Sequence, residues 1–284
     1  MRSENGEPHI GKVMTVFGAR GGIGKSTIAT NVSAVIAQHT DASVLVMDMD
    51  TRFGDVAMLL NVEPTYTVAD LASHPGDLTP ELFRQSLVAH ESGAYVLAAP
   101  VAPSAWARIT AEQIQRVVRF AAHEFDYVVL DTPGTFNDIV ATALEVADQV
   151  FVVCGLDTAS IKHTAQMFDL LEGSFPLDRM SIVLNQLSPV ITVRPKDVES
   201  TVGHEAFWSI PYDAQIPVTQ ALGEPIVTAH PKSKAAKQLL GLGLKVAGAP
   251  AVETTNWRGF FSRLNPWARS NETKLRDHPT RNAA

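Results

Sequence analysis

The stretch GARGGIGKST, residues 18–27, combines glycines, a lysine and a hydroxyl in an order that suits phosphate chemistry. Gly21, Gly22 and Gly24 let the backbone turn its amides inward on phosphate oxygens, where a Cβ would block close approach. In such loops the lysine, here Lys25, reaches the β- and γ-phosphates, and the hydroxyl, here Ser26, ligates magnesium. The apolar run 13–17 reads as a strand entering the loop, and the residues from Lys25 onward as a helix whose N-terminus adds its positive end. The spacing is that of a Walker A motif, G-x4-G-K-[ST], with the small residue Ala19 in place of the first glycine. Ala19, Arg20, Gly21, Gly22, Ile23, Gly24, Lys25, Ser26 and Thr27 are therefore the expected ATP-binding residues.

The carboxylates fall where such a site needs them. Residues 128–130 are apolar and end in Asp131, followed by Thr132, Pro133 and Gly134. An acid at the C-terminal end of a buried strand, beside the phosphate-loop strand, orders a magnesium-bound water. Ser26, and Asp131 through water, are the expected metal residues. The run 44–49 carries Asp48 and ends at Asp50, with Arg52 and Asp55 just beyond. Two acids at spacing two on a strand share a face, so both can look towards the phosphates, and a buried aspartate without such a task is costly. The alternative for Asp50 is that it caps the following turn.

These residues must be held by a frame, and the chain supplies one. Strands are expected at 12–17, 43–49, 94–98, 127–131, 149–153, 181–185 and 206–210, and helices at 25–38, 111–123, 137–146, 160–171 and 234–246. Residues 62–92 read as short helices and loops, with Thr67 as a candidate N-cap. The alternation predicts an α/β fold, a mainly parallel sheet with helices on both faces. The expected organisation is a polar segment at 1–11, one domain at 12–247, a linker at 248–255, an amphipathic helix at 256–267 and a disordered basic tail at 268–284. The single cysteine, Cys154, excludes an intrachain disulfide and any iron–sulfur or zinc site built on two thiolates of one chain. The first residues lack the apolar core of a secretory signal, and no stretch reaches the roughly 18 apolar residues of a membrane span. The expected address is the cytoplasm.

The stretches ARGGIGKST, VLVMDMDTRFGDVAMLL, DYVVLDTPG, IVLNQ, IPYD and ALGEPIV together resemble the MinD/ParA family of deviant-Walker ATPases, over residues 12–247. FGDVAMLL followed by TVADL is most similar to the TadZ/CpaE-type members, which position pilus-assembly machinery. The resemblance implies a P-loop NTPase fold of SIMIBI type and a homodimer with ATP and Mg2+ at its interface. It implies a signature basic residue at Arg20, which reaches across to the partner's phosphates. Arginine there keeps the charge and presents a planar fork, so it can act as an arginine finger in trans; a solvated loop charge is the alternative. It implies that Asp50 orients the attacking water with Asp48 in support, so that Lys25, Asp50, Arg20 and Asp48 form the catalytic set. Asn185 would meet the adenine edge, and Pro211 and Asp213 would line the base pocket; Asn185 and Asp213 read equally well as turn residues. Slow hydrolysis stimulated by a partner is also implied.

The C-terminal segment 256–267, NWRGFFSRLNPW, places Trp257, Phe260, Phe261 and Leu264 on one helical face with Arg258 and Arg263 beside it. From Asn256 onward six basic and two acidic residues leave +4 on the tail and −11 on the remainder of a chain whose total is −7. An aromatic face bordered by arginines suits an anionic membrane surface, which would place the protein peripherally on the inner face of the cell membrane. Docking on the protein's own body or on a partner is the alternative. One such tail binds marginally, whereas two on one dimer gain avidity of about 10²–10⁴. The function expected is an ATP-controlled spatial organiser of pilus or secretion machinery. Its rivals are a DNA-segregation ATPase using Lys232, Lys234 and Lys237, which the acidic body disfavours, and a landmark or polymer subunit that hydrolyses ATP negligibly.

Overall fold

The computed structural model describes residues 10–50, 52–187 and 193–250. Residues 1–9 and 251–284, which hold the amphipathic helix expected at 256–267 and the disordered basic tail expected at 268–284, lie outside the described residues. Residues 10–249 fold into one compact unit. In order its elements are β1 (Lys12–Phe17), α1 (Lys25–His39), β2 (Val44–Asp48), α2 (Val56–Leu59), α3 (Val68–Ala72), α4 (Pro80–Gln85), β3 (Val88–Ala89), β4 (Tyr95–Leu97), α5 (Ala111–Glu124) and β5 (Tyr127–Asp131). There follow α6 (Asp138–Glu145), β6 (Gln149–Gly155), α7 (Thr158–Leu171), β7 (Met180–Leu187), α8 (Pro195–Val202), β8 (Ala206–Pro211), α9 (Gln215–Leu222), α10 (Ile226–Ala229) and α11 (Lys234–Val246).

The strands form one eight-stranded sheet in the order β3-β4-β2-β5-β1-β6-β7-β8. All neighbours are parallel except β3 against β4. The mainly parallel α/β architecture is thus the one expected. The central strands are buried on both faces, which is why they read as unbroken apolar runs. Val13, Leu45, Met47, Val128 and Leu130 pack with α3, α5 and α6 on one face. Met14 and Val16 point to the other face by strand alternation, where α1 lies against β1, β2 and β5 and beneath α11. Because α1 is covered on both sides, Ile28 to Ile36 are buried without a break, and its small residues let the neighbours approach.

Local chemistry sets several boundaries. The Thr67 cap forms: the Asp70 carboxylate accepts from the Thr67 backbone N–H and hydroxyl at 2.8 and 2.6 Å. A reciprocal pair between Thr110 and Gln113 opens α5. Several features differ from expectation. The two-residue antiparallel β3 and the helices α8, α9 and α10 were not foreseen, α2 begins before the short-helix region at residue 62, and β2 stops at Asp48 rather than continuing to Met49.

Within this frame Thr15 is fully buried, and its hydroxyl donates to the carbonyl of Ala143 at 2.6 Å. Ala143 lies in the last turn of α6, and the Ala147 N–H that would continue the helix donates to Leu144 instead. Thr15→Val keeps the shape and strands that carbonyl. We expect a loss of about 1–3 kcal/mol of unfolding free energy, measured by urea denaturation; an unchanged midpoint would refute the assignment.

Candidate functional site

β1 delivers the chain into the loop and α1 takes it up, with Gly24 as N-cap in the left-handed region at φ 91°. A Cβ on Gly24 would also collide with Nδ2 of Asn185, so glycine is required there twice over. Around Gly21 and Gly22 the space a Cβ would enter is open, leaving a bare cradle of backbone on that side. Gly134, which follows β5, presses on the loop from behind: a Cβ there would stand 2.6 Å from the Gly21 nitrogen.

Three ionisable groups converge at this end of the sheet. The β2–β5 register sets Asp48 opposite Asp131, and both are buried, as is Lys25. Lys25 Nζ donates to the Arg20 carbonyl at 3.2 Å and, among the described residues, forms no ion pair. Burial pulls its ammonium below the ordinary value, against the attraction of Asp131 and then of Asp50. Asp131 is held well above the ordinary carboxylate value by burial and then by Asp48, opposed by a hydrogen bond from Ser26 and by Lys25, with Asp50 adding to the rise. Its Oδ1 is buried without a hydrogen-bond partner among the described residues.

An orphaned buried carboxylate oxygen beside a serine hydroxyl fits a hard cation. Among the described residues no group of three or more His, Cys, Asp or Glu side chains forms a cage of its own. One carboxylate and one hydroxyl suit magnesium that arrives with phosphates and keeps several waters.

Asp48 and Asp50 do not act as two residues of one strand. Asp50 lies beyond the end of β2. Asp48 spends one oxygen on the Asp50 N–H and the other on the Val56 N–H, both at 3.0 Å. It therefore fastens the turn between β2 and α2. Burial raises its pKa to about 7 against those two hydrogen bonds, and Asp50 and Asp55 raise it further. Asp50 Oδ1 accepts from the N–H groups of Arg52 and Phe53 at 2.8 and 3.1 Å. The turn-capping alternative is thus realised for that oxygen, while Asp50 stays close enough to Lys25 and Asp131 to act on their charges.

A cleft of about 630 Å³ opens from the loop towards α2 and α9. Gly22, Gly24, Lys25, Ser26 and Thr27 line one end, and Asn185, Tyr212 and Asp213 line its wall. Asn185 Nδ2 donates to the Ile23 carbonyl at 2.7 Å, so its amide braces the loop. Asp213 accepts from the N–H groups of Gln215 and Ala235, the turn role that was its alternative. Pro211 ends β8 and is not among the lining residues, and the neighbouring Tyr212 stands there instead. Arg20 turns to its own chain, its guanidinium donating to Asp157 at the start of α7.

Three contributors escaped the sequence reading. Gln220 of α9 donates to the Thr27 hydroxyl at 2.6 Å; Gly134 supports the loop; Asp157 pairs with Arg20. The first two lie in or beside quoted motifs (ALGEPIV and DTPG) without a signal of their own, whereas Asp157 could have been found as an N-cap directly after a strand.

Residues 9–247 match the ParA family model, described as NUBPL iron-transfer P-loop NTPase. Cys154, the sole cysteine, is buried in β6, so no two-thiolate cluster can form within one chain. The septum site-determining protein MinD of Thermotoga maritima is 24% identical over 248 residues, covering 84% of this chain and 89% of that protein. A ParA family ATPase from Chlorobium tepidum TLS superposes with a TM-score of 0.78 at 23% identity, covering 83% of this chain and 98% of that one. MinD of Pyrococcus horikoshii OT3, solved in complex with Mg-ADP, superposes at 0.73 with 19% identity, covering 84% and 96%. These likenesses support the P-loop NTPase fold.

The buried carboxylates make a pH prediction. Because Asp48 and Asp131 are held above their unfolded value, their contribution to stability is complete below about pH 4, the unfolded carboxylate pKa, and lost as pH rises through the folded pKa, about 7 for Asp48. In the nucleotide-free protein the advantage of wild type over Asp48→Asn in melting temperature should therefore shrink from about pH 5 to about pH 8. Calorimetry reads it; a difference between the two that grows over this interval would contradict the assignment.

Proposed function

Starting from the fact that this chain belongs to the ParA/MinD family of P-loop NTPases, we propose that it binds and hydrolyses ATP with Mg2+ and serves as a nucleotide-controlled positioning protein. The observation that carries this reading is the meeting of Lys25 and Asp131: a buried ammonium and a buried carboxylate, each without an ion-pair partner among the described residues, at one end of a bare glycine cradle. Desolvated charges of both signs are costly unless a ligand completes them. A phosphate chain answers the lysine and the cradle amides, and magnesium answers the carboxylate and the Ser26 hydroxyl. Magnesium when bound neutralises phosphate charge. The chain's own residues then divide the work. Lys25 and the α1 N-terminus hold the phosphates, and Asp50 orients the attacking water with its second oxygen, which has no partner among the described residues. Asp48 supports it by fixing the turn that carries Asp50. The adenine lies in the cleft beside Asn185 and Tyr212.

Two chains pair with ATP between them, and Arg20 of each reaches the other's phosphates. The segment Trp257–Trp267 then attaches the dimer to an anionic membrane. α11 ends beside the N-terminal end of β5, where Tyr127 donates to the Ala247 carbonyl at 3.4 Å. The cargo is pilus or secretion machinery, as for the TadZ/CpaE-type proteins the sequence resembles, and hydrolysis is slow until a partner stimulates it.

Lys25→Ala should weaken binding of a fluorescent ATP analogue by roughly tenfold to hundredfold, the worth of a charged hydrogen bond; unaltered affinity would remove the lysine from the site. Co-sedimentation of the full chain with anionic liposomes tests the second half. Pelleting with ATP but not ADP, lost in both Lys25→Ala and Phe260→Glu, is the expected result. Absence of pelleting in every condition defeats membrane attachment, and salt-sensitive retention on DNA would favour segregation instead.

A further inference from the structure

The two hydroxyls of the phosphate loop are held in opposite senses. Ser26 donates to the Asp131 carboxylate. Thr27, which is buried, accepts instead: Nε2 of Gln220 in α9 donates to its Oγ1 at 2.6 Å, and its own proton meets no acceptor among the described residues. A threonine in a helix can donate to the carbonyl one turn back, as Thr30 does to Ser26 at 2.8 Å. Thr27 stands in the first turn of α1, where the residue four back, Ile23, precedes the Gly24 N-cap. The Ile23 carbonyl accepts from the Asn185 amide at 2.7 Å. Thr27 and Gln220 both line the cleft.

A hydroxyl has a single proton. When its oxygen accepts from Gln220, that proton is left for another acceptor, and the cleft is where a ligand can supply one. Phosphate oxygens accept only, and their charge strengthens such a bond. We propose that Gln220 is a positioning residue of the nucleotide site, whose amide fixes the Thr27 hydroxyl as a donor to a phosphate oxygen. The bond is not the sole tether of its segment. Asn31 of α1 accepts from the Val227 N–H at 3.1 Å, and Gln38 donates to the Thr228 hydroxyl at 3.4 Å. This rests on the nucleotide binding proposed above and adds a residue outside the loop that sets the loop's hydrogen-bond polarity.

The test is calorimetric titration of the full chain with Mg-ADP. The variants are Thr27→Val, Gln220→Leu, Gln220→Glu and each Gln220 substitution combined with Thr27→Val. Thr27→Val should bind about tenfold to hundredfold more weakly, the worth of a hydrogen bond to a charged group. Gln220→Leu frees the hydroxyl to turn and should lose about two- to tenfold, the range of a neutral bond. Gln220→Glu should lose more than Gln220→Leu, because a carboxylate takes the Thr27 proton for itself. In the Thr27→Val background Gln220→Leu should change nothing, and Gln220→Glu should cost less than in wild type, its charge alone remaining. A bond that served only as a tether would survive in Gln220→Glu, so a loss there that depends on Thr27 is not expected of a structural role. Wild-type affinity in Gln220→Glu overturns the proposal, since Gln220 would then accept from Thr27. Equal losses in both backgrounds also overturn it, because the effect would come from α9 or from charge. If wild type binds and Thr27→Val binds equally well, the hydroxyl meets no phosphate and the proposal fails while the functional reading stands. If wild type does not bind Mg-ADP, the functional reading falls and this role with it.

Discussion

Desolvated charge at the C-terminal end of a parallel sheet is the constraint on which the site depends. Lys25, Asp48 and Asp131 are all buried there, and none would be retained in an apolar core without partners. Asp48 is answered within the protein, by two backbone N–H groups of the turn it fastens. Lys25 and Asp131 are answered only in part, by the Arg20 carbonyl and the Ser26 hydroxyl. The difference separates a carboxylate that shapes the chain from two groups whose hydrogen-bonding capacity is only partly used among the described residues.

The surroundings hold this arrangement open. Gly134 backs the loop without filling it, Asn185 braces the Ile23 carbonyl, and Gln220 ties α9 to the Thr27 hydroxyl. These supports come from the turn after β5, from β7 and from α9. The loop is thereby fixed by elements far from it in sequence. Arg20 is the exception, a loop residue held by one exposed pair instead of a buried one.

Much of the frame was legible locally. The apolar runs of β1, β2, β5 and β6 announced buried parallel strands, α5 announced itself by its capping pair and amphipathic spacing, and the GxGKS loop carried its chemistry in residue types alone. β3 was not legible because two residues make no pattern. α9 was missed because its exposed face is apolar: Val218 and Leu222 face solvent, and Pro217 sits within it, so neither periodicity nor composition marks a helix.

Sequence alone determined where the glycine loop, its lysine and the nearby acids lie and where the strands run, because glycine torsion, side-chain charge and apolar alternation are properties of a few adjacent residues. Tertiary structure alone decided what each polar group does with its valences. Arg20 and Asp157 are 137 positions apart, Asn185 and Ile23 162, and Gln220 and Thr27 193; no local pattern encodes such pairings. Strand order brings them together, and with it the fact that Asp50 gives an oxygen to its own turn, that Pro211 stands aside from the cleft, and that Arg20 rests on its own chain.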